Sequence, residues 1–188
     1  MTMRDVIDGG PSPQPSPRTR GEGDEVLSSS NLPLPRWVHI PGETAEPDKE
    51  ALARAKALVP PRFDAFVPFD HPALRYGFAL NDAGFFWEAH EILEAVWQAA
   101  PKGGRDRILL RACIQIVNAG LKHRLGRARA VARLLTDART ELRELVARAP
   151  KPSFPGSAAE RFPVARVAGQ LAAIGEGVSS VMPSLKHA

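Results

Sequence analysis

No stretch of this 188-residue chain sustains the two-residue alternation of apolar and polar side chains that a half-buried strand requires. From Asp48 onward the apolar residues recur at helical spacing instead, and Pro or Gly punctuates the runs. Short connections between such runs favour antiparallel neighbours. The expected fold is therefore all-α, a compact antiparallel bundle of about five helices.

The punctuation places the elements. Asp48 to Leu58 has helical composition, and Pro60 and Pro61 stop it. Asp70 is placed to cap a short helix through Leu74 and Phe78 to Leu80, with Asn81 and Asp82 as the turn into the next. That next helix is expected from Ala83 to Ala99, ending at "PKGG" before a very apolar helix from Arg105 to Leu125 that Gly126 closes. "RARAVARLLTDARTELRELVARA" carries a further helix to Ala149. "SAAE" (Ser157 to Glu160) reads as a capping box opening a last helix towards Ile174, with Pro163 near its start.

Residues 1–47 differ in character. "GGPSPQPSPRTRGEGDEVLSSSNLPLP" is dense in Pro, Ser and Gly, and its few apolar residues cannot offset the entropy of ordering it. The segment is expected to be a disordered or extended Pro-rich tail. Its resemblance to a translated bacterial intergenic repeat leaves open a biological start further along the chain. "LPRWVHIPGETAEPD" reads as an extended arm lying on the domain, anchored by Trp37 and Ile40. The helical domain is expected over 48–178, and 179–188 as a flexible end.

Several function classes drop out. No run of about 18 apolar residues exists to cross a membrane, and no apolar signal-peptide core opens the chain. Cys113, the single cysteine, excludes an intrachain disulfide and a four-cysteine zinc site, so a reducing cytoplasm is the expected compartment. Within the most apolar helix it reads as an inert core residue. The 25 basic residues exceed the 21 acidic ones, giving a net charge of +4. The Arg-rich helix interleaves Asp137, Glu141 and Glu144, which describes a salt-bridged solvated face and no nucleic-acid groove. A second copy of the chain or another protein is the expected partner.

Chemistry concentrates in "FFWEAHEILEAVW", residues 85–97. At about 100° per residue, Phe85, Phe86, Ala89, Ile92, Leu93 and Val96 form a core face. Trp87, His90, Glu94 and Trp97 form an arc beside it, which Glu91 borders, while Glu88 points away. His90 and Glu94, four residues apart, can meet. On the following helix His123 shares a stripe with Ile108, Ala112, Ile116 and Ala119 and is expected to face inward, beside Gln115. Packing of the two helices would converge His90, Glu94 and His123 in a pocket walled by Trp87, Trp97 and Gln115.

Two readings follow. In the first, the His90–Glu94 pair satisfies itself at the core edge and fixes packing. In the second, His90, Glu94 and His123 hold a divalent metal such as zinc or manganese, or iron, and Glu91 or Glu88 acts as general base on a bound water. The spacing is not that of a zinc protease, since Glu94 stands where H-E-x-x-H needs its second histidine. Nor is it that of a di-iron bundle, since Trp87 stands three before His90.

The run "LNDAGFFWEAHEILEAVW", followed by "LLRACIQIVNAGLKH", resembles the bacterial family called domain of unknown function 309. Asn81, Gly84, Phe86, Glu88, Ala89, His90, Glu91, Leu93, Glu94 and Trp97 match that family's central pattern, and Gln115 and His123 its second. Asp82 and Ala83 lengthen the Asn-to-Gly gap by one residue. "GRARAV" replaces the Gly-Asn-x-x-Gly-Ala that the family carries after the histidine, so Arg127 and Val131 depart from it. The resemblance implies a compact all-α domain over roughly 74–146 and no defined activity. The expected function is a structural or protein-interaction module. The alternative is a small metal-binding protein or hydrolase-like enzyme.

Overall fold

The structure of the chain, a computed structural model, describes residues 32–148, 150–175, 177, 179 and 181–185. Those residues form seven helices and no strand: α1 Lys49–Ala57, α2 Pro72–Asp82, α3 Phe86–Ala99, α4 Arg105–Arg124, α5 Ala128–Ala147, α6 Ala158–Arg161 and α7 Val164–Gly175. The all-α bundle expected from periodicity is the fold observed, and the six helical runs placed from the sequence become seven because the last one is divided. Of the tail expected over residues 1–47, residues 1–31 lie outside the described residues.

The differences have local causes. The α2 N-cap is His71 without a side-chain cap, in place of the expected Asp70. Pro72 follows at the first helical position, where its missing N–H needs no acceptor and its fixed φ starts the turn. Asn81 and Asp82 complete α2, and the turn falls at Gly84, whose φ of 82° suits glycine. The last expected helix is two helices. Phe162 precedes Pro163 and is forced to an extended ψ of 136°, which separates α6 from α7. Only half of the capping box forms: Ser157 accepts from the Glu160 N–H, but the Glu160 carboxylate accepts from the Phe154 N–H and from Ser153 Oγ.

Helix α3 packs between α2 and α4, α4 also packs on α5, and α7 lies against α5. Helices α3 and α4 run antiparallel. Phe86 sits beside Gly120 and Arg124 at one end, and Trp97 beside Arg107 at the other. The core gathers Leu74, Phe78, Leu80, Ile92, Leu93, Leu109, Leu110 and Ile116 at zero exposure. Each such side chain contributes about 1.5–3 kcal/mol through burial.

Non-helical segments are tied on by buried polar groups. Asp106, in the first turn of α4, accepts from the Val67 N–H at 2.8 Å and from the Ala159 N–H at 2.7 Å, joining three separate stretches. The N-terminal arm crosses α2 and α3. Tyr76 donates its hydroxyl to the Pro33 carbonyl at 2.7 Å, and the His39 N–H donates to Glu88 at 2.8 Å. Trp37, an expected anchor, is 40% exposed and donates its indole N–H to Glu46 within the arm; Ile40 is half-buried. Backbone groups and the buried Pro35 hold the arm instead. At the other end Leu185 is fully buried and Pro183 is buried too, so part of the segment expected as a flexible end belongs to the core.

Candidate functional site

The exposed side of the α3 arc brings together three groups suited to holding a cation. One ligand atom from each of His90, Glu91 and Glu94 lies within 4.8 Å of the others, and all three residues are half-buried. The His90–Glu94 pair is the helical i, i+4 contact, with Nε2 3.4 Å from Oε2. Glu91 turns aside to pair with Lys56 of α1 at 2.8 Å. His90 Nδ1 is buried and has no hydrogen-bond partner. Tetrahedral zinc with bonds to nitrogen and oxygen of about 2.0–2.2 Å places ligand atoms roughly 3.3–3.6 Å apart. The His90–Glu94 separation of 3.4 Å falls in that range, and Glu91 would have to leave Lys56 to join it.

His123 does not join them. It is exposed at the end of α4, whereas Ile108, Ala112, Ile116 and Ala119 of its stripe are buried. The inward orientation expected for it is corrected by the register. Antiparallel packing that sets Phe86 beside Gly120 carries His123 past the start of α3, level with the end of α2. There it lines a cleft of about 450 Å³ with Asn81, Asp82, Gly84, Phe86 and Arg124. The same register brings half-buried Gln115 level with His90.

Glu88 points away from the arc, as its helical position predicts, but the N-terminal arm covers that side and its exposure is zero. Burial pushes its carboxyl above the usual carboxylate range, opposed by the N–H bond from His39, and Oε2 has no partner. A side chain so enclosed is closed to bulk solvent while the arm is in place.

Both tryptophans are engaged. Trp87 meets the His39 ring edge-on at 4.7 Å. The Arg107 guanidinium lies 3.9 Å from the Trp97 ring centroid and donates to the Trp97 and Ala100 carbonyls at 3.0 and 3.1 Å, closing the end of α3. The Trp97 indole N–H has no partner. Sequence reasoning missed His39, Arg107 and Asp106, whose one available signal was a carboxylate opening an otherwise apolar helix.

These features define a class: an all-helical bundle whose central helix carries a histidine–carboxylate cluster on one side and a buried glutamate on the other. Residues 74–134, from α2 into α5, match the family model described as domain of unknown function (DUF309). No curated protein and no solved structure matches the chain. Among the described residues no helix is long and apolar enough to cross a membrane.

Proposed function

We propose that the domain is a protein-interaction module whose docking surface is the groove between α5 and α7. The groove, about 570 Å³, is walled by Leu142, Val146, Ala147, Val164, Ala165 and Ala168, with Arg139 and Arg143 among its lining residues. Val146 is 69% exposed, so the apolar lining of the groove reaches the surface.

The single observation that carries the reading is the state of the arginines. Around α5, Arg111 pairs with Glu141, Arg133 with Asp137 and Arg148 with Glu144. Arg139 and Arg143, which line the groove, have no ion-pair partner among the described residues. An amphipathic helix with one apolar face and acidic flanks complements both the floor and these charges. Small side chains at Ala165, Ala168 and Ala172 leave room for such a helix to approach closely.

The test uses two synthetic amphipathic peptides with the same leucine face, one flanked by glutamates and one by lysines, titrated into the full chain by fluorescence anisotropy. Selective binding of the acidic peptide, lost in Val146→Asp and weakened in Arg139→Glu, Arg143→Glu, is the expected result. Equal binding of both peptides, or none, overturns the reading. Concentration-dependent dimerisation that Val146→Asp abolishes would replace the foreign helix with a second copy.

A second reading rests on the His90, Glu91 and Glu94 cluster as a site for a divalent cation such as zinc or manganese. Glu91 as a general base would first have to leave Lys56. Titration calorimetry with zinc or manganese ions tests it: binding that His90→Ala and Glu94→Gln remove from a folded chain supports the site, and binding unchanged by both removes it.

A further inference from the structure

At the end of α2 two adjacent polar side chains hold a piece of the chain's own backbone. Asn81 Nδ2 donates to the Pro183 carbonyl at 3.0 Å. Asp82 accepts from the Ser184 hydroxyl at 2.6 Å and from the Leu185 N–H at 2.8 Å. The Leu185 side chain has zero exposure. Residues 182–185 form no helix or strand, and Val181, Met182, Pro183 and Ser184 make one wall of the cleft whose far side carries His123 and Arg124. Side chains reading main-chain groups, with a pocket for one apolar side chain, is the chemistry by which extended peptides are bound.

The fit is incomplete at one atom. Asn81 is 3% exposed, yet its Oδ1 has no donor. A carboxamide that donates to the carbonyl of a peptide residue is placed to accept the N–H of that same residue, which makes a paired contact. Here the residue is Pro183, which has no N–H. The missing hydrogen bond is thus accounted for by the occupant.

We infer that the Asn81–Asp82 end of α2 is a receptor for an extended peptide in which a non-proline residue precedes Ser-Leu, and that the chain's own Pro183–Leu185 is a replaceable plug in it. The partner is a segment of another protein offering an N–H to Asn81, a hydroxyl to Asp82 and a leucine to the pocket. Pro183 keeps the plug one hydrogen bond short, so a trans ligand with that bond competes with it.

Three labelled, amidated hexapeptides titrated into the full chain test this: Ser-Val-Met-Ala-Ser-Leu, the same peptide with N-methylalanine at the fourth position, and Ser-Val-Met-Pro-Ser-Leu. The alanine peptide is expected to bind about three- to tenfold more tightly than the other two, the factor one neutral hydrogen bond to a buried acceptor supplies. Leu185→Asp, which ejects the plug, tightens all three, and Asp82→Asn weakens all three. Alanine and N-methylalanine peptides of equal affinity, or no saturable binding to the wild type and a folded Leu185→Asp, overturn the inference. Should Leu185→Asp not fold, Pro183→Ala decides by hydrogen exchange: slower exchange of the Leu185 amide supports the paired contact, and unchanged or faster exchange rejects it.

Discussion

A Cβ added to Gly120 would stand 2.5 Å from Cε1 of the Phe86 ring. Gly120 is fully helical and buried, so its role is to let α4 lie directly against the first residue of α3. This contact fixes the register that sends His90 and His123 to different levels of the bundle.

Gly120→Ala should therefore lower stability, although alanine is the better helix former. Propensity favours the change by roughly 0.5–1 kcal/mol, while overpacking a tight core opposes it by about 1–3 kcal/mol. Urea unfolding is expected to show a net loss. Gly77→Ala should lower stability too, because its Cβ would stand 2.7 and 2.9 Å from Cδ2 and Cγ of the fully buried Leu93.

Asp106→Ala strands two buried donors, the N–H groups of Val67 and Ala159. Unpartnered buried donors cost about 1–3 kcal/mol each. The variant is expected to unfold at markedly lower urea, and the Ala159 amide should lose protection in hydrogen exchange. Unchanged protection there would show that the clamp is not what holds α6.

Glu88 gives the pH dependence its sign. Burial raises its folded-state pKa above the ordinary value, so the folded chain holds this proton more tightly than the unfolded one. The contribution favours folding fully at pH below the ordinary carboxylate value and is lost as pH rises through the elevated folded value. Glu88→Gln keeps an oxygen for the His39 N–H and removes the buried charge. Thermal melts should show the variant as stable as the wild type in acid and more stable at neutral pH, with a flatter profile between.

Arg107→Ala removes two hydrogen bonds to the end of α3 and the cation over Trp97. The loss is expected to be on the order of 1–3 kcal/mol. Arg107→Lys should recover only part of it: an ammonium can donate to both carbonyls, as Nη1 does, but it has no planar face to lie on the indole. Equal stability of the lysine variant would assign the effect to charge alone.

The helices were legible because their limits are covalent in origin. Gly126 and the Pro60–Pro61 pair act within one turn of themselves, and the core face of α3 follows from 3.6-residue periodicity. The His90–Glu94 contact was legible for the same reason, being internal to one helix. His123 was not, since its place depends on how far α4 slides along α3, which a glycine–phenylalanine contact decides. The burial of Glu88 was not legible, because periodicity gives a direction from the helix axis and is silent on what covers it. The covering arm carries no periodic signal of its own, and its hold on the bundle is a backbone N–H. Asn81 and Asp82 look like turn formers by composition, and only the return of residues 183–185 makes them polar anchors.

The Asp106 carboxylate ties the 74–134 stretch to chain on both sides of it. Its donors, Val67 and Ala159, fall on either side of the 74–134 stretch shared with the family, and the His39 donor to Glu88 lies further out still. A fragment cut to that stretch would keep both acids and lose every one of these donors, leaving two carboxylates without the N–H groups that accompany their burial. What is recognisable as kin in this sequence is thus narrower than what its buried carboxylates depend on, and an excised stretch would titrate and unfold as a different molecule from the one it was cut from.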